Sequence, residues 1–199
     1  EYDEFSKTYD NFNLKVSSGK ILQGQVLGII GGNALGKTTF MKILSGIEKS
    51  DQDNIETKIK ISYKPQYLDS NYSDNVRNLL YSQGSRIEDE TFNNEIILPL
   101  SINKIVEKNV NILSAGELQK VAIAICLMKD ADIYALDEPS AFIDVEDRIV
   151  LARSVQKFIK SNNKSAIIID HDIQLIDILS DSLLLFNGNN GVNGIAHAP

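Results

Sequence analysis

Two hydrophobic periods alternate along this chain, and they predict strands and helices in turn. Residues Asn11 to Val16 alternate polar and apolar, the pattern of an edge strand. Val26 to Ile30 is a nearly continuous apolar run that enters a glycine-rich turn, and Lys37 to Leu44 then reads as a helix. Ile59 to Tyr63 is a further strand. From Ser73 to Asn109 the text becomes polar and helix-like, with Val76, Leu79 and Leu80 at helical spacing. Leu118, Val121, Ala122, Ile125 and Cys126 recur at helical intervals and predict a strong amphipathic helix. Ile133 to Leu136 reads as a buried strand and Val145 to Lys160 as a helix. Ala166 to Ile169 and Leu183 to Phe186 are two more strands, separated by a helical stretch from His171 to Leu179. Strands alternating with helices imply a mostly parallel sheet covered on both faces. The expected fold is α/β: a single domain over 1–199, with an antiparallel edge and an inserted helical subdomain at about 70–129. The segment GNNGVNG predicts a loop or linker tail over 187–199.

Composition narrows the setting. The 199 residues suffice for one domain with a sizeable core. The apolar share is 43% and the charged share 24%, the balance of a globular protein. No stretch approaches the roughly 20 apolar residues needed to cross a bilayer, so no membrane partner is expected. A net charge of −7 argues against nonspecific nucleic-acid binding, and no direct DNA binding is expected. The single cysteine, Cys126, sits in the apolar run VAIAICLM and reads as a core thiol. One thiol makes no internal disulfide, which favours a reducing, cytoplasmic compartment.

The glycine-rich turn carries the first chemistry. Gly31 to Thr38 reads GGNALGKT, which fits G-x-x-x-x-G-K-[ST]. Glycines let backbone amides turn inward around phosphate oxygens, and the following helix aims its positive N-terminal end at the same place. Lys37 supplies a point charge for the β- and γ-phosphates, and Thr38 offers a hydroxyl to Mg2+. Gly31, Gly32, Asn33, Ala34, Leu35, Gly36, Lys37, Thr38 and Thr39 are therefore the candidate phosphate cradle. In IYALDE (Ile133 to Glu138), a buried strand ends in two adjacent carboxylates, at the sheet edge where open α/β sheets bind ligands. Asp137 is the candidate Mg2+ holder. Glu138 is the candidate general base for an attacking water.

A third segment, LSAGELQ (Leu113 to Gln119), opens the strong helix. Ser114 with Glu117 three residues later reads as a capping box, and a capped helix start is also an anion site. This segment resembles the LSGGQ-type signature of ATP-binding cassette proteins. The order of motifs matches that family from residue 31 to residue 172. Gln66 in YKPQY is similar to its Q-loop, Ser140 to Asp144 (SAFID) to its D-loop, and His171 in IIIDHD to its switch histidine. YKPQ, LSAGELQKVAIA, ADIYALDEPSAFIDVEDR and IIIDHD resemble the second, C-terminal cassette of subfamily E, the RNase L inhibitor proteins, which act in ribosome recycling and translation.

The resemblance implies ATP and Mg2+ as cofactors, with the nucleotide held between two cassettes packed head to tail. Lys37, Thr38, Gln66, Asp137, Glu138 and His171 would serve the ATP bound on this chain, with Gln66 also a metal ligand. Ser114 and Gly116 would cap the γ-phosphate on the partner cassette, and Asp144 would cross the interface. An upstream aromatic would stack on adenine. Tyr9 has about the family's spacing, with Phe12 and Tyr2 as competitors. The implied partners are a second cassette of the same protein, the ribosome and translation factors. The motor subunit of a membrane transporter would share every motif, and Ala34 and Ala115 raise a third reading, a non-hydrolysing nucleotide-binding module. Two positions depart from the family: Ala34 and Ala115 stand where glycine is usual. Their methyl groups are expected to crowd a phosphate or to resist a positive φ. Finally, Arg153, Lys157, Lys160 and Lys164 recur at helical spacing. They read either as a solvated helix face or as a contact for ribosomal RNA phosphates.

Overall fold

The computed structural model describes residues 1–52, 59–64, 66 and 72–197. Pro65 and Tyr67 of the YKPQY motif, the first two residues of the expected helical insertion and residues 198–199 lie outside the described residues. Among the described residues, eight strands form one sheet in the order β1-β2-β8-β7-β3-β6-β5-β4. They are β1 (Phe5–Tyr9), β2 (Phe12–Val16), β3 (Val26–Gly31), β4 (Ile61–Lys64), β5 (Ile133–Asp137), β6 (Ser165–Ile169), β7 (Ser182–Asn189) and β8 (Asn193–His197). Strands β4, β5, β6, β3 and β7 run parallel, and β1–β2 and β7–β8 pair antiparallel.

The parallel half is buried on both faces, which is why β5 and β6 read as unbroken apolar runs. All five residues of each are buried. Alternation then sorts their side chains between two cores. Tyr134, Leu136, Ala166 and Ile168 join the cluster under helices α2 (Val76–Gln83), α4 (Ala115–Met128), α5 (Val145–Ser161) and α6 (Ile173–Leu179). Ile133, Ala135, Ile167 and Ile169 face the other cluster, with Phe40, Met41 and Leu44 of α1 (Lys37–Leu44). Cys126 lies in the first cluster and is buried as expected, and burial pushes its thiol up to about 11.

Two expectations need correction. The tail is not a linker: β7 extends to Asn189 and β8 covers Asn193–His197, so most of 187–199 is an antiparallel hairpin. The strand expected at an edge is interior. β2 lies between β1 and β8, and β1 forms the edge. Its second neighbour comes from the far end of the chain, which local alternation cannot announce. The expected helical insertion is present: Ser73 to Asn109 holds the two-turn helix α2 followed by short helical turns that include α3 (Glu90–Phe92) and a π-helical turn over Asn93–Ile97. Edge-to-face packing of Phe92 on Phe158 ties this insertion to α5.

Candidate active site

Strands β3, β4, β5 and β6 present their carboxyl ends side by side, and each delivers one piece of the site. The loop after β3 and the first turn of α1 line a cavity of about 360 Å³ together with Gln66, Glu138, Ile169 and His171. Residues 33–39 contribute to its wall, and it is an open, polar cleft of a size that takes a triphosphate. Gly36 caps α1 at φ 90°, a left-handed conformation that glycine adopts without strain. Its Cα also faces Leu14 and the ring of Phe12, and a methyl group there would stand only 3.0 Å from Leu14. Lys37 is 6% exposed, and its Nζ donates to the carbonyls of Gly31 (2.8 Å) and Gly32 (2.7 Å). Burial lowers its pKa, opposed by the nearby charges of Glu138 and Asp137. The ammonium is thus held beside the cleft.

The two departures from the family pattern separate cleanly. Ala34 does adopt a positive φ, 56°, with its side chain exposed. Ala115 is the first residue of α4, also exposed, and needs no unusual backbone.

Asp137 is fully buried. Burial raises its pKa, while hydrogen bonding with Thr38 and Tyr63 works the other way. Tyr63 donates its hydroxyl to Oδ2 at 3.2 Å, but Oδ1 is buried with no hydrogen-bond partner among the described residues. A buried, unpaired carboxylate oxygen costs free energy unless something cationic meets it. Mg2+ fits that requirement, with Thr38 and Gln66 alongside. Among the described residues no group of three or more His, Cys, Asp or Glu could hold a metal.

Glu138 sits at φ 48°, an uncommon conformation for a side chain of its size. Its amide donates to the Ile169 carbonyl at 2.8 Å. Its carboxylate accepts from Gln66 Nε2 at 2.7 Å and lies 3.2 Å from His171 Nε2. Residues 33–39, Gln66, Glu138 and His171 therefore share one cleft, with the buried Asp137 next to Glu138 in the chain.

Other expected residues lie apart from this cleft. Ser114 caps α4 in the expected capping box: Glu117 N–H donates to Ser114 Oγ at 3.2 Å, and Ser114 N–H to Glu117 Oε2 at 3.0 Å. Ser114, Gly116 and Asp144 do not line the cavity. Asp144 precedes α5 without a side-chain capping bond and is exposed. Of the three aromatics, Tyr2 is 5% exposed and packed in the core, where it cannot stack on a base. Tyr9 is 41% exposed at the end of β1, and its hydroxyl donates to Glu48 from the C-terminal side of α1. Phe12 packs against Gly36. Three members of the basic stripe meet acids of their own chain: Lys157 with Glu95 at 3.9 Å, Lys160 with Asp181 at 3.5 Å and Lys164 with Asp132 at 3.8 Å. This favours the solvated-face reading.

Several supporting residues escaped the sequence reading. Lys64, 1% exposed, donates to the Asp137 carbonyl at 2.9 Å, and burial pushes its pKa down to about 8. Asp170 accepts from the Ser140 amide (2.9 Å) and hydroxyl (2.7 Å), and so ties the D-loop to the histidine turn. Arg148 bridges the same two segments through Ile143 O (2.8 Å) and Asp172 (2.9 Å). Gln119 donates to the Glu138 carbonyl at 2.6 Å. Apart from Arg148 on Ile143, five positions away, these contacts join residues distant in sequence, and only the lone polar residue at an apolar strand end (Lys64, Asp170) gave a hint.

Comparison with known proteins agrees with this fold. The sequence profile of the family described as ABC transporter matches residues 14–141. The translation initiation factor RLI1 of Saccharomyces cerevisiae is 36% identical over 199 residues, covering all of this chain and 33% of that protein. A solved structure of an RNase-L inhibitor superposes with a TM-score of 0.96 at 42% identity, over 100% of this chain and 39% of that one. An archaeal ribosome recycling factor, solved in complex with an archaeal ribosomal stalk protein, gives 0.95 at 42% identity over 100% and 38%. The chain spans about a third of the length of the curated relatives that it matches end to end. With that profile matched over more than half of its length, the chain belongs to the ATP-binding cassette family and is an ABC ATPase domain.

Proposed function

We propose that this chain is the second, C-terminal cassette of an E-family protein, that it binds Mg-ATP, and that it hydrolyses ATP when packed head to tail against another cassette to drive ribosome recycling in the cytoplasm. The observation that carries the hydrolytic part is the placement of Glu138. Its carboxylate is held between Gln66 and His171, beside the loop that cradles Lys37. A base so placed can take a proton from a water lying over the cleft.

The remaining roles follow from position. Amides of residues 33–39 surround the phosphates, and Lys37 shifts its Nζ from loop carbonyls to phosphate oxygens. Mg2+, when bound, neutralises charge on the phosphate oxygens; Thr38, Gln66 and Asp137 would hold it. His171 lies where it can contact the γ-phosphate or orient the water. Tyr9 or Phe12 would meet the adenine. Ser114, Gly116 and Asp144, outside this chain's own cleft, are free to serve the nucleotide of the facing cassette. Hydrolysis of this kind is largely positioning and charge stabilisation. The ribosomal assignment rests on the relatives, one named a translation initiation factor and another a ribosome recycling factor.

The test is an ATPase assay of this chain alone and of the full protein that contains it. The chain alone should bind Mg-ATP and turn it over slowly. The full protein should hydrolyse ATP, and Glu138→Gln should stop hydrolysis while leaving nucleotide affinity intact. Fast, concentration-independent turnover by the chain alone would contradict the head-to-tail requirement. Recovery of the full protein with a membrane permease, and not with ribosomal subunits, would replace recycling by transport.

A further inference from the structure

The turn that carries the catalytic base is strained. Glu138 (φ 48°) and Phe142 (φ 62°) both adopt left-handed backbone, which costs a side-chain-bearing residue free energy and persists only where surrounding contacts impose it. Both residues touch the signature helix. Gln119, 5% exposed in the second turn of α4, donates its Nε2 to the Glu138 carbonyl at 2.6 Å. Gly116, at the start of the same helix, lies against the Phe142 carbonyl so closely that a methyl built there would stand 2.6 Å from that oxygen. The other contact on the Glu138 carbonyl, from the Ala141 amide at 3.3 Å, is longer and comes from within the turn.

We propose that Gln119 is a positioning residue for hydrolysis: its amide, reaching from the signature helix to the carbonyl of Glu138, fixes the left-handed backbone that aims the Glu138 carboxylate. This rests on Glu138 being the base. The Glu138 amide is already anchored to β6, so the free variable is rotation of the peptide that follows it, and the Gln119 donor holds that peptide's oxygen. Without the donor, the turn relaxes toward an unstrained φ, and the carboxylate swings away from Gln66 and His171. Because α4 also begins at Ser114 and Gly116, a shift of this helix on meeting another cassette passes to the base through the same hydrogen bond. The segment facing one nucleotide thereby sets the base over the other.

The experiment is steady-state ATP hydrolysis by the full protein carrying Gln119→Met, which keeps size and removes the donor. The expected result is a fall in kcat of about tenfold, the rate equivalent of one lost hydrogen bond, with KM and Mg-ATP affinity within about twofold of the unaltered protein. Gln119→Glu, which puts an acceptor in the same place, should fall at least as far and covers the case in which Gln119→Met does not fold. Gln119→His, which retains a donor at similar reach, should regain part of the rate. Unchanged kcat in both donor-lacking variants overturns the proposal, and so does a parallel loss of affinity, kcat and thermal midpoint, which would mark Gln119 as merely structural. Glu138→Gln is run beside them. If it hydrolyses at the full rate, the base assignment fails and this inference with it. If it is inactive while Gln119→Met is fully active, the inference alone fails.

Discussion

Replacing alanine with glycine at positions 34 and 115 should shift stability in opposite directions, although the substitution is the same. Ala34 is exposed and held at φ 56°. An L-residue there carries strain of roughly 1–2 kcal/mol that glycine does not. Glycine also gains freedom in the unfolded chain, which takes back about 0.4–1 kcal/mol. The net effect of Ala34→Gly is a stabilisation of about 0.5–1 kcal/mol. For a chain of this length that is a rise in thermal midpoint of roughly 1–4 °C. Ala115 opens α4 with an ordinary helical backbone, so Ala115→Gly keeps only the entropic loss and should lower the midpoint by a comparable or smaller amount. Thermal denaturation without nucleotide measures both shifts, and calorimetric titration of Mg-ATP measures binding. Ala34 lines the cleft; with its methyl group clear of the phosphates, affinity should change by less than about twofold, under about 0.5 kcal/mol. A lower midpoint for Ala34→Gly would refute the strain argument. A tenfold gain in affinity would show instead that the methyl group crowds the phosphates.

Two further outcomes follow from buried contacts. Lys64 gives up its proton near pH 8 in the folded protein and at about 10.5 when unfolded, so the unfolded state binds more protons between those values and stability rises with pH across that window. Chemical denaturation from pH 7.5 to 9, below the range where the raised Cys126 thiol opposes it, should show this rise in the unaltered chain and lose it in Lys64→Met; identical pH profiles would refute the burial of a charged ammonium behind Asp137. Gly194→Ala should destabilise by about 1–3 kcal/mol or more and weaken Mg-ATP binding, because a methyl there would overlap the Leu35 carbonyl of the phosphate loop. A variant with unchanged midpoint and unchanged affinity would show that the hairpin does not brace the loop.

What the sequence revealed and what it hid divide along a physical line. The phosphate loop, the acid pair and the capped signature helix are local objects. Each is a strand end or helix start whose residues are adjacent in the chain, so their spacing alone predicts them. The contacts that hold those objects in place are not local. Gln119 reaches Glu138 across 19 positions, Ser140 reaches Asp170 across 30, and Lys64 reaches Asp137 across 73. No periodicity records such pairs.

The tail shows the same division at its sharpest. Its glycines and asparagines read as a linker because small polar residues in series are what flexible segments use. In the fold they serve close approach. Gly191, at φ 74° in the turn between β7 and β8, donates its amide to the Ala34 carbonyl at 3.0 Å, and Gly194 lies against Leu35. The strained residue of the phosphate loop is therefore held by the turn that looked least structured. Composition reports which side chains are missing; it does not report whether they are missing for freedom or for contact. Only the neighbour across the sheet decides that, and here the neighbour is the loop that the site depends on.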